Sequence, residues 1–330
     1  MLQQTQVSTV LDYFARFLQR FPTVADLAAA KQDDVLALWS GLGYYSRARN
    51  LHRCAQAVVE LHGGQFPRSA ELLQTLPGIG PSTAAAIASF CFSERVAILD
   101  GNVKRVLTRV LAFSGDLASS KNERQLWTIA NDLLPSKDLT NTMPRYTQGV
   151  MDLGATLCTT RKPQCLICPV QEICQGFAEG ESEKYPVKTK KLKRSLESLH
   201  LLWAQRPDGS IWLERRPESG IWGGLYCLPV FDSEEALLAF LPGHNRSRIQ
   251  HLLSFKHVLT HKDMYLSPVI AGFSAHQKIP STHGGVSVSG NWFLPDAWQA
   301  LGLPAPIRKL LENEPVGDVV SGKRQARGGA

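Results

Sequence analysis

Leu76-Pro77-Gly78-Ile79-Gly80-Pro81-Ser82-Thr83-Ala84 interrupts a run of helical periodicity. A helix over Ser69 to Thr75 runs into Pro-Gly-x-Gly, and Pro81 takes a favoured first position for the next helix. The glycines let the turn adopt positive φ and let another backbone come close. Amides exposed where the second helix starts form an anion site. Two readings follow. One is a helix-hairpin-helix, in which Gly78, Gly80 and Ser82 grip a DNA phosphate without reading base sequence. The other is an ordinary αα-hairpin, and the stretch alone divides evenly between them.

Twenty residues beyond Gly80 comes Ile98-Leu99-Asp100-Gly101-Asn102-Val103-Lys104-Arg105-Val106. Its plain reading is capping, with Asn102 as N-cap of a new helix and Asp100 as a turn former. Its chemical reading is a carboxylate at a helix mouth, near a phosphate-gripping hairpin, placed to support a cationic transition state.

Four of the seven cysteines follow as Cys158-x6-Cys165-x2-Cys168-x5-Cys174. Thiolates so spaced close around one soft metal centre. A zinc knuckle also takes four cysteines. Zinc ribbons separate two C-x2-C pairs by a longer insert, so the spacing favours a [4Fe–4S] cluster. Arg161 and Lys162 lie between the first two ligands, so a structural cluster would hold cations where a phosphate meets them. Cys54, Cys91 and Cys227 are isolated and read as buried apolar fillers.

The 330 residues suffice for two ordinary domains, and 44% hydrophobic with 20% charged content predicts globular cores. A net charge of +7 favours an anionic partner. No apolar run is long enough for a membrane span and no secretory signal precedes the helix, which predicts a cytoplasmic, nucleoid-associated protein. Residues 1–178 read as helical. Lys184 to Arg194, KYPVKTKKLKR, carries six basic residues and reads as a solvated linker (179–197) able to brush phosphates. Strands then dominate over 198–313. HLLWAQ (200–205) and SIWLERR (210–216) form a hairpin through Pro207-Asp208-Gly209. A short helix opens at Ser233, one or two strands cover 255–272, and a helix covers Pro306 to Glu312. The tail 314–330 reads as disordered.

Hairpin, aspartate and cysteine array, in this order, resemble the helix-hairpin-helix, Gly/Pro-rich, aspartate superfamily of DNA glycosylases from Met1 to about Phe177. Endonuclease III-like members carry a nucleophilic lysine just after the hairpin glycines. Here Ser82 stands there, and a hydroxyl forms no Schiff base, so the resemblance implies a monofunctional enzyme. MLQQTQV (1–7), GLGYYSRARN (41–50), the LDGNVKRV stretch and RRPESGIWGGLYCLP (215–229) are similar to adenine DNA glycosylases of the MutY type. That resemblance implies an all-α glycosylase domain with one iron–sulfur cluster, followed by an α+β Nudix-like domain. It implies a monomer acting on duplex DNA that carries 8-oxoguanine:adenine or guanine:adenine mispairs. It also implies roles. Asp100 supports the oxocarbenium ion, assisted by Asn102. Gln3, Gln4 and Tyr44 contact the base stack, and Arg47, Arg49 and Lys104 meet phosphates. Asp152 lies by the adenine pocket. Thr260 and His261 sit in the turn that reads 8-oxoguanine, with Leu259 where the family has an aromatic. The row of glutamates and arginine needed for Nudix hydrolysis is missing. Only Asp232, Glu234 and Glu235 are near.

The family's general acid is a glutamate two residues before the methionine that is here Met1. This predicts a start codon set too late, and a literal chain that binds lesion DNA better than it turns it over. The other readings kept open are an endonuclease III-like lyase and a non-catalytic iron–sulfur lesion-binding protein.

Overall fold

A computed structural model describes residues 1–3, 5–189, 194–246, 249–280, 282–283, 286–287 and 289–313. Gln4, the central lysines of the basic stretch and the tail expected to be disordered lie outside the described residues. Packing divides the chain into Met1–Arg53 with Lys193–Ala330, and Cys54–Leu192. The composition-based boundaries, 1–178 and 198–313, instead assign the first 53 residues to the helical half.

The unit 54–192 is helical. It holds the body of α4 (Ser46–His62), then α5 (Ala70–Leu73), α6 (Pro81–Phe92), α7 (Gly101–Val110), α8 (Ser120–Asp132), α9 (Leu139–Thr156) and α10 (Gln175–Ala178). Its core gathers Leu99, Val103, Leu107, Leu126 and Met143. The predicted helix start at Pro81 is observed, and Ser69 caps α5 by accepting a bond from the Leu72 amide. Asp100, not Asn102, is the N-cap of α7. Its backbone is extended, and its carboxylate accepts the Val103 amide at 2.8 Å. Capping goes to the residue that leaves extended backbone for the first turn, and the helix begins two residues earlier than expected. The stretch from Lys184 is not a solvated linker over its first residues. Tyr185 is 4% exposed, Val187 accepts the Leu117 amide, and Thr189 bonds Asp116.

The other unit pairs a sheet with helices from both ends of the chain. Its N-terminal helices are α1 (Val7–Arg20), α2 (Val24–Ala29) and α3 (Gln32–Leu38). Val10, Phe17 and Phe21 of the first segment are buried, whereas Val7, Leu11, Phe14 and Leu18 are 46–62% exposed. The sheet comprises β1 (Ser195–Gln205), β2 (Ile211–Arg215), β3 (Tyr226–Cys227), β4 (Val230–Phe231), β5 (Ile249–His251), β6 (Phe255–Val258), β7 (Lys262–Gly272) and β10 (Gly290–Phe293). A separate small pair consists of β8 (Thr282–His283) and β9 (Val286–Ser287). Helices α11 (Glu234–Phe240), α12 (Gly243–Arg246), α13 (Pro295–Gln299) and α14 (Ala305–Asn313) complete the unit.

Strands β1 and β7 run parallel from Ser195↔Lys262 to Gln205↔Gly272 at the centre. The predicted hairpin β1–β2 is antiparallel, as are β10–β2, β5–β7 and β6–β7. Alternation along β1 buries both faces. Leu199, Leu201 and Trp203 pack with Ile307 and Leu311 of α14, and Leu202 and Ala204 pack with Leu237 of α11. Glu234 of α11 is engaged by His251 Nε2 at 2.8 Å.

The N-terminal segment joins this core through close packing. A Cβ on Gly302 would come within 2.9 Å of Leu36 Cβ and 3.3 Å of Leu225 Cδ2. The Tyr45 hydroxyl donates to the Leu303 carbonyl at 2.8 Å. Arg215 pairs with Asp33 at 3.2 Å.

Cys54 and Cys227 are buried as expected, but Cys91 is exposed. It sits in the last turn of α6 beside the exposed Phe90, where the helix carries its side chains clear of the packed face formed by Ala84, Ala85 and Ala88. Burial pushes the Cys227 thiol up to about 12. Iodoacetamide at pH 8 is therefore expected to modify Cys91 in the native protein, and Cys54 and Cys227 only after denaturation, as read by peptide mass spectrometry. Gly302→Ala is expected to cost about 1–3 kcal/mol by overpacking, measured as a lower thermal midpoint with the native far-ultraviolet spectrum retained at 20 °C.

Candidate active site

The hairpin turn forms as its residues dictate. Gly78 has φ +76, in the left-handed region. Gly80 precedes α6 as an N-cap without a side chain, and nothing lies within 4 Å of where its Cβ would be. The first amides of α6 thus face open space at the positive end of a helix.

Ser82 has a second task in this geometry. Its Oγ accepts the Leu99 amide at 3.3 Å. On the other side, the Ala97 amide donates to Asn131 Oδ1 of α8 at 3.3 Å. The extended segment Ala97–Leu99 is buried and fixed between the two, and Asp100 follows it. One Asp100 oxygen is spent on the cap. The other has no hydrogen-bond partner among the described residues.

Helix α7 then carries two arginines four residues apart. Arg105 donates to Asn102 Oδ1 at 2.8 Å, to the Gly154 carbonyl at 2.6 Å and to the Cys158 carbonyl at 2.7 Å. The fit is close: a Cβ on Gly154 would lie 2.9 Å from Asn102 Cβ. Arg109 is 1% exposed. Its guanidinium donates to the Tyr185, Thr159 and Thr160 carbonyls at 3.1, 2.6 and 3.1 Å, and to Cys158 Sγ at 3.4 Å. Neither arginine was singled out from the sequence. The available signal was their i, i+4 spacing on the inner face of an amphipathic helix.

Cys158, Cys165, Cys168 and Cys174 line one cavity, together with Arg109 and Phe177. Burial raises the Cys174 thiol, and the neighbouring thiols add to this. Among the described residues no three His, Cys, Asp or Glu side chains group around a point that one metal ion would fill. The donor set fits an anionic multinuclear centre. The sulfurs line a cavity, and the buried Arg109 has no carboxylate within ion-pair distance among the described residues, so sulfurs that lose their protons to a metal centre would supply its counter-charge.

The loop after Cys158 is fastened at Lys162, whose amide donates to Glu183 at 2.9 Å and whose φ is +49. The Arg161 and Lys162 side chains are exposed and form no ion pair among the described residues. Lys104, by contrast, is paired with Glu123. Asp152 lies exposed on α9 and accepts from Gln148 Nε2 at 2.7 Å.

In the other unit, residues far apart in sequence meet. The Tyr44 hydroxyl lies 2.8 Å from Thr260 Oγ1. Tyr44 is 52% exposed with φ +48, a strained value for an aromatic residue. His261 and Gln3 are exposed. Arg47 and Arg49 face protein acceptors. Arg47 donates to Met1 O at 2.7 Å and Thr5 Oγ1 at 2.8 Å, and Arg49 donates to Gly223 O. Burial holds both guanidiniums below their ordinary range.

Comparison with known proteins agrees with this geometry. Residues 1–132 match the family described as HhH-GPD superfamily base excision DNA repair protein, and residues 200–313 match the NUDIX domain family. The chain is 37% identical over 317 residues to the adenine DNA glycosylase of Buchnera aphidicola subsp. Acyrthosiphon pisum, covering 95% of this chain and 87% of that protein. It is 35% identical over 316 residues to the enzyme of Buchnera aphidicola subsp. Schizaphis graminum, with 94% and 88% covered. It is 50% identical over 178 residues to the Rattus norvegicus enzyme, covering 53% of this chain and 34% of that one. Identity sustained along nearly the whole chain, over a helix-hairpin-helix unit and a Nudix-like sheet, shows that the chain belongs to the MutY-type adenine DNA glycosylases of base excision repair.

Proposed function

We propose that this enzyme excises adenine paired with 8-oxoguanine or guanine in duplex DNA, acting as a monomer at the nucleoid and without cutting the strand. The observation that carries this reading is the fixed position of Asp100, which follows directly the segment that Ser82 ties to the hairpin helix. A phosphate at the α6 amides anchors the backbone, and flipping delivers the nucleotide. As the glycosidic bond breaks, positive charge grows on the sugar, and the uncommitted Asp100 oxygen stabilises it. Asn102, held by Arg105, fixes the first turn of α7 beneath that carboxylate. Asp152 assists on the base side. Ser82 offers a hydroxyl already engaged by Leu99, so no amine attacks the sugar and water completes the hydrolysis. Tyr44, with Gln3 and Gln4, fills the gap left by the flipped base, and the Thr260–His261 turn reads 8-oxoguanine.

Cys158, Cys165, Cys168 and Cys174 hold a [4Fe–4S] cluster in this reading, its thiolates balancing Arg109. When bound, the cluster supplies a rigid tether for its loop. Arg161 and Lys162 then present unpaired cations to the phosphate backbone, adding salt-sensitive affinity.

Asp100→Asn keeps a side chain able to cap α7. It is expected to lower single-turnover adenine release about 10²-fold or more while leaving affinity for lesion duplex near wild type. Unchanged release would overturn the proposed role of Asp100. Cys168→Ser is expected to lower bound iron and acid-labile sulfide below the four of each held by the native chain, and to weaken DNA binding. One zinc per native chain, by elemental analysis, would refute the cluster.

A further inference from the structure

The last residue of the basic stretch is built into the turn that carries Thr260. The antiparallel pairing of β6 and β7 ends at Val258↔Asp263, leaving Leu259–Lys262 as a tight turn in which the Leu259 amide donates to the Lys262 carbonyl at 2.8 Å. Arg194 immediately precedes the first rung of the central parallel ladder, Ser195↔Lys262, and the Ser195 amide donates to the His261 carbonyl at 3.1 Å. From there its guanidinium donates to the Leu259 carbonyl at 2.8 Å, to the Thr260 carbonyl at 3.4 Å and to Asp263 Oδ1. Lys256 takes the other Asp263 oxygen at 2.7 Å. These two cations lower the Asp263 carboxyl from its ordinary range, Lys256 contributing first and Arg194 next.

We infer that Arg194 is a positioning residue for lesion discrimination. Its planar fork reaches two turn carbonyls and a carboxylate at once, which a point charge does not do. The turn's backbone is thereby fixed with the Thr260 hydroxyl aimed at the Tyr44 hydroxyl. Arg194 touches neither DNA strand in this account. It sets the geometry of a side chain that does. The inference rests on the reading that the Thr260–His261 turn recognises 8-oxoguanine.

The test is the preference of the full chain for 8-oxoguanine:adenine over guanine:adenine duplex, as a ratio of dissociation constants and of single-turnover rates, in Arg194→Ala, Arg194→Lys and Thr260→Ala. Arg194→Ala is expected to lower the ratio about 3- to 10-fold, the effect of one to two misplaced hydrogen bonds, with faster amide hydrogen exchange at 259–262. Arg194→Lys, which keeps only the pairing with Asp263, is expected to fall between. If Thr260→Ala lowers the ratio and Arg194→Ala does not, the clamp is refuted and the reading of the turn survives. If Thr260→Ala leaves the ratio unchanged, the reading of the turn fails and the clamp fails with it. A melting temperature lowered by Arg194→Ala with the ratio intact reduces Arg194 to a structural pair and also overturns the inference.

Discussion

Arg109 is a buried guanidinium with no carboxylate in ion-pair distance among the described residues, and the helical unit is arranged around that constraint. A charge in such a place demands hydrogen-bond acceptors on every donor. Here they come from within the cysteine array and from beyond it: Cys158 itself, Thr159 and Thr160 just after it, and Tyr185 past Cys174. Satisfying one side chain therefore fastens the cysteine loop and the following segment to the body of α7. One turn earlier Arg105 fastens the start of the same helix to α9 and Cys158. The N-cap of that helix is Asp100. A single ten-residue helix thus connects the Asp100 carboxylate to the cysteine cavity, through main-chain carbonyls that side-chain substitutions elsewhere do not remove.

Much of this was readable from residue types, because local chemistry leaves local marks. Pro81 after a Gly-x-Gly turn marked a helix start, Ser69 and Ser233 marked caps, and Pro207-Asp208-Gly209 marked a hairpin. What stayed hidden depends on partners distant in sequence. Asn102 and Asp100 are both good caps, and the choice was made by the extended backbone that Ser82 and Asn131 impose upstream. Cys91 follows an apolar pattern, yet it falls where α6 outruns its neighbours. Lys184 to Thr189 reads as linker by charge, yet Tyr185 is drawn inward by Arg109. The packing division at residue 53 has the same origin: Leu36 and Tyr45 are helical by pattern, but their partners Gly302 and Leu303 lie far along the chain.

The Tyr44–Thr260 pair brings those distant contacts to one exposed surface. Tyr44 keeps a left-handed backbone that its ring disfavours, and it is flanked by Arg47, which is itself consumed by Met1 and Thr5. Strain of this kind persists only where surrounding contacts over-determine it. Arg47 thus lies over an exposed aromatic ring while its donors are spent on Met1 and Thr5, and Arg49 is spent on the Gly223 carbonyl.

The central ladder pairs β1 with β7 without a break from Ser195 onward. That continuity bears on modularity. A fragment cut at the composition boundary, residue 198, would start three rungs late and without Arg194. It would keep Leu199 to Gln205, but the turn Leu259–Lys262 would lose the guanidinium that its carbonyls accept from. The strand-rich part of the unit begins inside the apparent spacer, so the spacer's final residue belongs to the cargo and not to the tether.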